Sequence, residues 1–375
     1  MKEKILVTSA NGHVSFPTTC ELLAMGFQVR AFVRNPNSSA SKKLKELGAE
    51  LFVGDQNDIN DLRMSLKDVQ RAFYCSPPGN HHLSKTVAFV IAAEEENLEH
   101  VVYLTQWLAS ENHHSPHSRE HWLADEVVKM HDKVNYTIVN PGLFAFTYFF
   151  TNPVVAHFGM LPTPIKKASQ GKVGLNAPPS DEDQGRVVAN ILKNPSPHTG
   201  KTYRPTGPKL ISYVDVANIF GEILGKKVKV AEVSRSRYLK SLSSFDAPST
   251  NIKEFMLINV PYYQDELERN AFAFGTSAVT TVVKDLTGKE PEDFETIARR
   301  EFEKSPEMKP TFANKMKAFK GFMKIIFARE PSVQELENKY GIPSSKTGYK
   351  YVQENPNWVK EHESQPNFVS MKIPR

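Results

Sequence analysis

Short apolar runs alternate with longer amphipathic stretches through the first 150 residues of the chain. Strands are expected at 5–8, 28–34, 51–53, 71–75, 100–105 and 136–139, where β-branched and apolar residues are nearly continuous. Between them, apolar positions return at helical spacing over 16–25, 41–47, 58–66, 83–96 and 119–130. Gly26 and Gly48 stop two of these helices, and Pro77-Pro78-Gly79 and Pro141-Gly142 end two strands. Strands with no in–out alternation, spaced by helices, predict a parallel sheet covered on both faces. Right-handed crossovers make that sheet a doubly wound α/β fold.

Beyond residue 150 the pattern loosens. Helices are expected at 185–192, 252–257, 263–273, 279–286 and 294–304, with strands at 201–204 and 227–233. Ser212 and Asp215 form a capping box for a helix reaching Leu224, which Gly225 stops. Between Met308 and Arg329 there are six basic residues and no acid, with Phe312, Met316, Phe319, Met323 and Ile326 at helical spacing. Such a stripe packs on the body of a protein, or lies on an anionic membrane surface. The segment 339–375, rich in Pro, Asn, Ser and aromatics, is expected to wrap over the body or a neighbour. Three parts follow: 1–150 with a returning segment near 180–206, a smaller α+β unit over 151–305, and a helical and irregular extension over 306–375.

Composition narrows the class. Of 375 residues, 40 % are hydrophobic and 24 % charged, as in globular chains of two or three domains. The net charge of +5 is too small and too dispersed for a nucleic-acid footprint. Two cysteines, Cys20 and Cys75, exclude a disulfide scaffold and a cysteine-based zinc site. No apolar run reaches membrane-spanning length, and the Ile5-to-Thr8 run is too short for a signal peptide, so the cytoplasm is the expected location.

The turn after the first strand lies at the carboxyl edge of such a sheet, beside a helix N-terminus that attracts phosphate. Its sequence, Ile5-Leu6-Val7-Thr8-Ser9-Ala10-Asn11-Gly12-His13-Val14-Ser15, resembles the dinucleotide loop of extended and atypical short-chain dehydrogenases. Only one glycine of the usual three, Gly12, is kept; Ser9 and Ser15 fill the flanking slots. The same run also suits an ordinary strand–helix turn. The second strand ends at Arg34, with Lys42 nearby, where an arginine suits the 2′-phosphate of NADP and an acid would suit NAD. Asp55, after the third strand, faces the adenine or caps the next helix.

With the 29–36, 54–66, 73–78, 100–105 and 136–144 stretches, and 206–228 and 286–291 further on, the chain resembles the NmrA-like family of atypical short-chain dehydrogenases/reductases over roughly residues 1–300. The resemblance implies an NADP(H)-binding Rossmann domain and a small substrate domain with a cleft between them. It implies cofactor contacts from Ser9, Asn11, Gly12, His13, Val14, Arg34, Asp55, Gln56, Ser76, Pro77, Thr105 and Pro141. Some such proteins reduce quinones, dyes or imines; others bind the cofactor and regulate a partner.

The usual Tyr-x-x-x-Lys pair is missing, since none of the twelve tyrosines has a lysine four residues on. Thr105 matches the family's Ser or Thr after the fifth strand, and His121 falls near the lysine slot. His121 is read either as a proton donor and ribose partner or as a helix histidine bonded to backbone. His113, His114, His117 and His121 are expected to line a polar loop that titrates near pH 6.5 rather than to bind a metal. Trp107, Phe144, Phe146, Tyr148 and Phe149 are apolar candidates for the substrate wall, or core residues. The expected function is an NADPH-dependent reductase acting on a quinone, imine, enone or carbonyl. The alternative is a non-catalytic NADP(H) sensor acting through a protein partner. A homo-oligomer is compatible with either.

Overall fold

The structure is a computed structural model describing residues 3–245, 247, 249–342 and 348–363, and the backbone of 369–370. The parts of the tail at 343–347, 364–368 and 371–375 lie outside the described residues. The first half alternates as β1 (Lys4–Val7), α1 (Ser15–Ala24), β2 (Gln28–Val33), α2 (Ser39–Glu46), β3 (Glu50–Val53), α3 (Ile59–Leu66), β4 (Arg71–Tyr74), α4 (His82–Glu95), β5 (His100–Leu104), α5 (Pro116–Met130) and β6 (Asn135–Val139). Then come α6 (Asn152–Phe158), β7 (Met160–Thr163), α7 (Asp181–Lys193), β8 (Lys201–Tyr203), α8 (Tyr213–Leu224) and β9 (Lys229–Glu232). The last part is mainly helical: α9 (Arg235–Ser244), α10 (Thr250–Glu268), α11 (Val282–Thr287), α12 (Phe294–Lys304), α13 (Phe312–Phe327), α14 (Val333–Lys339) and α15 (Pro356–His362), before β10 (Val369–Ser370).

Seven strands pair in parallel in the order β3-β2-β1-β4-β5-β6-β8, and β10 adds antiparallel to β8. The chain winds outward from β1 in both directions, so the crevice for a ligand opens between the carboxyl ends of β1 and β4. Ile5 and Val7 enter the core formed with Val29, Val187 and Val283, while Leu6 enters the opposite core with Phe32, Phe89 and Val101. Both faces of each inner strand are therefore buried, which is why those strands read as continuous apolar runs. Gly185 in α7 lies against α1, and a Cβ there would come within 2.8 Å of the backbone N of Thr18. Only glycine lets the two helices approach this closely.

The third core joins the second half of the chain to the tail. It gathers Trp107, Tyr148, Phe220, Phe294, Phe302, Val352 and Trp358. Beside it, β7 and β9 pair in parallel, and the Ser212–Asp215 capping box opens α8.

Two sequence expectations change, and the body is chosen over a neighbour for the tail. The two helices expected at 252–257 and 263–273 are one, α10, running through Pro261. A proline inside a helix removes one hydrogen bond. Here buried Leu257, Ile258, Asn259 and Leu267 hold both halves, and Asn259 Nδ2 donates to the Phe255 carbonyl at 3.0 Å. The tail is bound to the body: Trp358 is 2 % exposed and its Nε1 donates to the Trp107 carbonyl at 3.2 Å. The apolar stripe of α13 does not pack on the body, since Phe312, Met316, Phe319 and Ile326 are exposed.

Candidate functional site at the sheet edge

At the switch point, hydroxyls stitch the ends of β1 and β4 together. Thr8 Oγ1 and Ser9 Oγ donate to the Cys75 carbonyl at 3.1 and 2.8 Å, and Cys75 N donates back to Thr8 Oγ1. Ser9 adopts a left-handed φ of 47°, which turns the chain sharply. Gly12 N closes the turn on the Ser9 carbonyl at 2.7 Å, and a Cβ on Gly12 would lie 3.0 Å from that oxygen. Asn11 Nδ2 donates to Ser41 Oγ and Ser38 Oγ, tying the loop to the start of α2.

The loop delivers the chain into α1, whose N-cap Val14 supplies no side-chain cap and whose first turn holds no acid. Ser15 Oγ, in that turn, is buried, with the Cys75 thiol beside it and no hydrogen bond of regular geometry. An uncapped helix start with a spare hydroxyl suits an anion. Gln56 is buried, its Nε2 donating to Ser9 Oγ at 2.9 Å while its Oε1 has no partner. Arg34 is exposed and, among the described residues, makes no side-chain hydrogen bond or ion pair.

Asp55 instead holds its own turn, accepting from Asn57 N and Nδ2, and the helix cap is Asp58 itself, which accepts from Asn60 N. Ser76 and Pro77 form the half-buried loop after β4. Pro141 is buried after β6, and there a Cβ on Gly142 would lie 3.2 Å from Arg204 Nη2.

Lys85 was not visible as a site residue in the sequence, where it is one lysine in an amphipathic helix. In the fold it is 9 % exposed, on the first turn of α4 beside the loop after β4, with Arg34, Asp55 and Glu120 as charged neighbours. Burial lowers its pKa, against the pull of Glu120 and Asp55. No hydrogen bond ties its Nζ to a described residue.

The histidines form two groups with different work. His113 is fully buried; its Nδ1 accepts from Ser115 N and its Nε2 donates to Glu266 Oε1, both at 2.8 Å. That satisfied pair is a strut between the loop before α5 and α10. His117 and His121 share a face of α5, their Nε2 atoms 3.1 Å apart, and His121 stacks on His82 with centroids 3.6 Å apart. Burial lowers the pKa of all three, to about 3 for His82 and well below the ordinary value for His117 and His121. His114 is lowered as well, chiefly by burial. Burial therefore takes His117 and His121 out of the expected titration near pH 6.5, because a charged imidazole there loses its hydration. With both rings neutral, one Nε2 donates and the other accepts, so one free Nδ1 carries a proton and the other does not. Among the described residues no group of three His, Cys, Asp or Glu side chains is arranged to hold a metal ion.

Around the end of β5 lie buried polar atoms with no hydrogen bond of regular geometry, Thr105 Oγ1, Gln106 Nε2, Ser118 Oγ, Tyr263 OH, and Nδ1 of His117 and His121; Tyr263 faces Ser115, Gln106 and Ser118, and Thr105 faces Asp125. Native interiors leave few such atoms, so this cluster is a candidate ligand site. Asp125, one turn beyond His121, is buried near Thr105 and Lys129, and burial pushes its carboxyl up to about 8. Tyr263 reaches this cluster from α10, which is fixed across the start of α5. Asn259 Oδ1 accepts from Ser115 Oγ at 2.8 Å and from His117 N at 3.2 Å, and Phe255 meets the His117 ring edge-on. Burial raises the Tyr263 phenol to about 12. Neither Asp125 nor Tyr263 carried a sequence signal, because both depend on which helix covers α5.

The aromatic wall divides. Phe144 and Phe146 are half-buried, and Phe146 stacks on His13 with centroids 3.8 Å apart, while His13 Nδ1 lies 2.6 Å from Asp181 Oδ2. This contact spans the edge from the loop after β1 to the start of α7. Trp107 and Tyr148, expected on the substrate wall, are core residues. Trp107 donates to the Ala271 carbonyl at 2.9 Å, lies under the Arg204 guanidinium at 3.4 Å, and meets Trp358 of the tail edge-on. Tyr148 packs on Tyr213 and Phe294. Phe149 likewise stacks on Phe294 inside that core. A groove of about 380 Å3 opens elsewhere, between α9, α10 and residues 330–334, and none of the expected site residues lines it.

Residues 1–297 match the profile of the NmrA-like family. The chain belongs to that family. An NAD(P)H azoreductase of Xenophilus azovorans is 22 % identical over 248 residues, 66 % of this chain and 82 % of the relative. The NADPH-dependent quinone oxidoreductase of Escherichia coli, solved with NADPH, superposes with a TM-score of 0.66 at 18 % identity, over 80 % of this chain and 99 % of that one. The negative transcriptional regulator Nmra, solved with NAD, superposes at 0.64 and 16 % identity, over 80 % and 96 %. These neighbours share the doubly wound fold described above. The family profile stops before α13, so the tail that buries Trp107 is an addition to the common pattern.

Proposed function

We propose that the chain binds NADP(H) along the carboxyl edge of β1, β2 and β4 and reduces a small apolar or aromatic acceptor. The observation that carries this reading is the pair of unpaired cations, Arg34 and buried Lys85, beside a turn that opens an uncapped helix. Asp55 and Glu120 compensate the buried Lys85 only at longer range, and an anion in direct contact would stabilise it further. The azoreductase and quinone oxidoreductase relatives support the reaction class.

In this reading the α1 N-terminus and Ser15 face the pyrophosphate, and Arg34 and Lys85 face the adenosine phosphates. Thr105 and Gln106 turn their free polar atoms to the nicotinamide end, and Phe144 and Phe146 exclude water there. When bound, the dinucleotide supplies the hydride. A quinone or iminium acceptor needs little acid assistance; a carbonyl needs a proton, which Asp125, protonated at neutral pH, or the Tyr263 phenol can give. The missing Tyr–Lys pair is thus no bar to turnover.

One observation favours a second reading, cofactor sensing without turnover. The His13–Phe146 stack closes over the edge, and the tail takes Trp107 out of any substrate wall. Binding of NADPH followed by fluorescence, then NADPH consumption with quinones, azo dyes, imines, enones and aldehydes, separates the two. Binding with turnover of at least one acceptor class supports the reductase. Tight binding with none supports the sensor, and no binding of either dinucleotide contradicts both.

A further inference from the structure

Helix α13 presents two faces with different fates. On one, Ala318 is buried, Phe322 meets Phe158 at 6.2 Å, and Asn314 Nδ2 donates to the carbonyls of Pro306 and Lys309 at 2.9 and 3.0 Å. Just past its end, Glu330 accepts from Ser236 of α9. The helix is therefore fastened at both ends and along its inner side.

At 100° per residue, positions 314, 318, 322 and 325 share this inner face, and positions 312, 316, 319, 323, 326 and 327 form a second arc centred roughly 130° away from it. The outer positions are all apolar: Phe312, Met316, Phe319, Met323, Ile326 and Phe327. Phe312 is 81 % exposed and Phe327 78 %, at the two ends of the stripe. Lys315 flanks it on one side, and Lys317, Lys320 and Lys324 on the other. Six bases and no acid lie between residues 308 and 329.

A protein rarely leaves such a stripe in water, and what covers it must match both its apolar ridge and its cationic flanks. A second copy of the chain, applied by the same face, would set these lysines against their own counterparts. An anionic bilayer satisfies both: the phenylalanines enter the acyl boundary while the lysines remain at the headgroups. We propose that α13 is a docking surface for an anionic membrane, holding the whole chain flat on the bilayer without spanning it. No described helix is long and apolar enough to cross one. The surface lies outside residues 1–297, so it adds a location to the family's fold rather than a step to its chemistry.

Flotation of the full chain with vesicles tests this. Vesicles of phosphatidylcholine with about 30 % phosphatidylserine should carry at least about tenfold more protein than phosphatidylcholine alone, and raising salt from roughly 0.1 to 0.5 M should remove most of the excess. Lys315→Glu with Lys317→Glu, Lys320→Glu and Lys324→Glu should abolish it. Phe312→Ser with Phe327→Ser, both at exposed positions, should lower binding several-fold on the same vesicles while thermal unfolding and NADPH binding stay as in the parent. Equal recovery on both vesicle types, or none on either, overturns the proposal. So does a chain that sediments as a dimer and becomes a monomer on the Phe312→Ser, Phe327→Ser change without ever floating.

Discussion

The edge of the sheet and the underside of the tail are both polar and both buried, yet they are finished differently. Under the tail several buried groups are tied in pairs: Glu266 Oε1 accepts from His113 and from Val352 N, and Asn355 Nδ2 donates to Ser110 Oγ and Glu111, although Glu266 Oε2 and two Arg204 nitrogens have no partner. At the edge, Gln56 Oε1 has no partner, Ser15, Thr105, Gln106 and Tyr263 make no hydrogen bond of regular geometry through a buried polar atom, and neither Arg34 nor Lys85 forms an ion pair with a described residue. A saturated network holds a structure together, whereas an unsaturated one has room for a ligand. Histidines illustrate the difference, since His113 is a strut and His117 and His121 retain free ring nitrogens.

The largest effect should come from the saturated side. Trp358→Ala removes a side chain packed between Trp107, Phe274 and His362 together with its hydrogen bond, and should cost about 3–5 kcal/mol in denaturant unfolding. A loss below about 1 kcal/mol would mean that the tail is merely laid on the surface.

Next comes acid. The His82 pKa falls to about 3 in the fold, below its unfolded value near 6.5, so between those pH values the unfolded chain binds the extra proton. That contribution is fully present above pH 6.5 and is lost progressively as pH falls toward 3. His82→Phe should flatten this limb of the stability–pH curve; an unchanged slope would place the acid sensitivity elsewhere.

A smaller loss is expected where the edge is shaped by close packing. Gly185→Ala forces a Cβ against Pro17 and Thr18, and should cost about 1–3 kcal/mol while also weakening dinucleotide binding, because α1 moves. Lost stability with unchanged binding would uncouple the helix from the site.

The sequence made the sheet legible because strands buried on both faces cannot hide their apolar runs, and the Ser212–Asp215 box and Gly225 bracketed α8 as expected. The loop residues Ser9, Asn11, Gly12, His13 and Val14 were legible through their resemblance to a dinucleotide turn and lie at the switch point. What stayed hidden depends on distant segments meeting. Lys85 gains meaning only beside Arg34 and Asp55, Tyr263 only when α10 crosses α5, and Trp107 becomes core only because the tail returns from 250 residues away. The α13 stripe was visible as a pattern, but only its exposure distinguishes docking from packing.

Parallel titrations of the parent chain and Arg34→Ala with NADPH and NADH test the unsaturated edge most directly. A guanidinium meeting the 2′-phosphate should make the parent prefer NADPH, and its removal should weaken NADPH about tenfold or more while leaving NADH nearly unchanged. Equal loss for both dinucleotides, or no loss for either, would contradict the assignment of that edge to NADP(H).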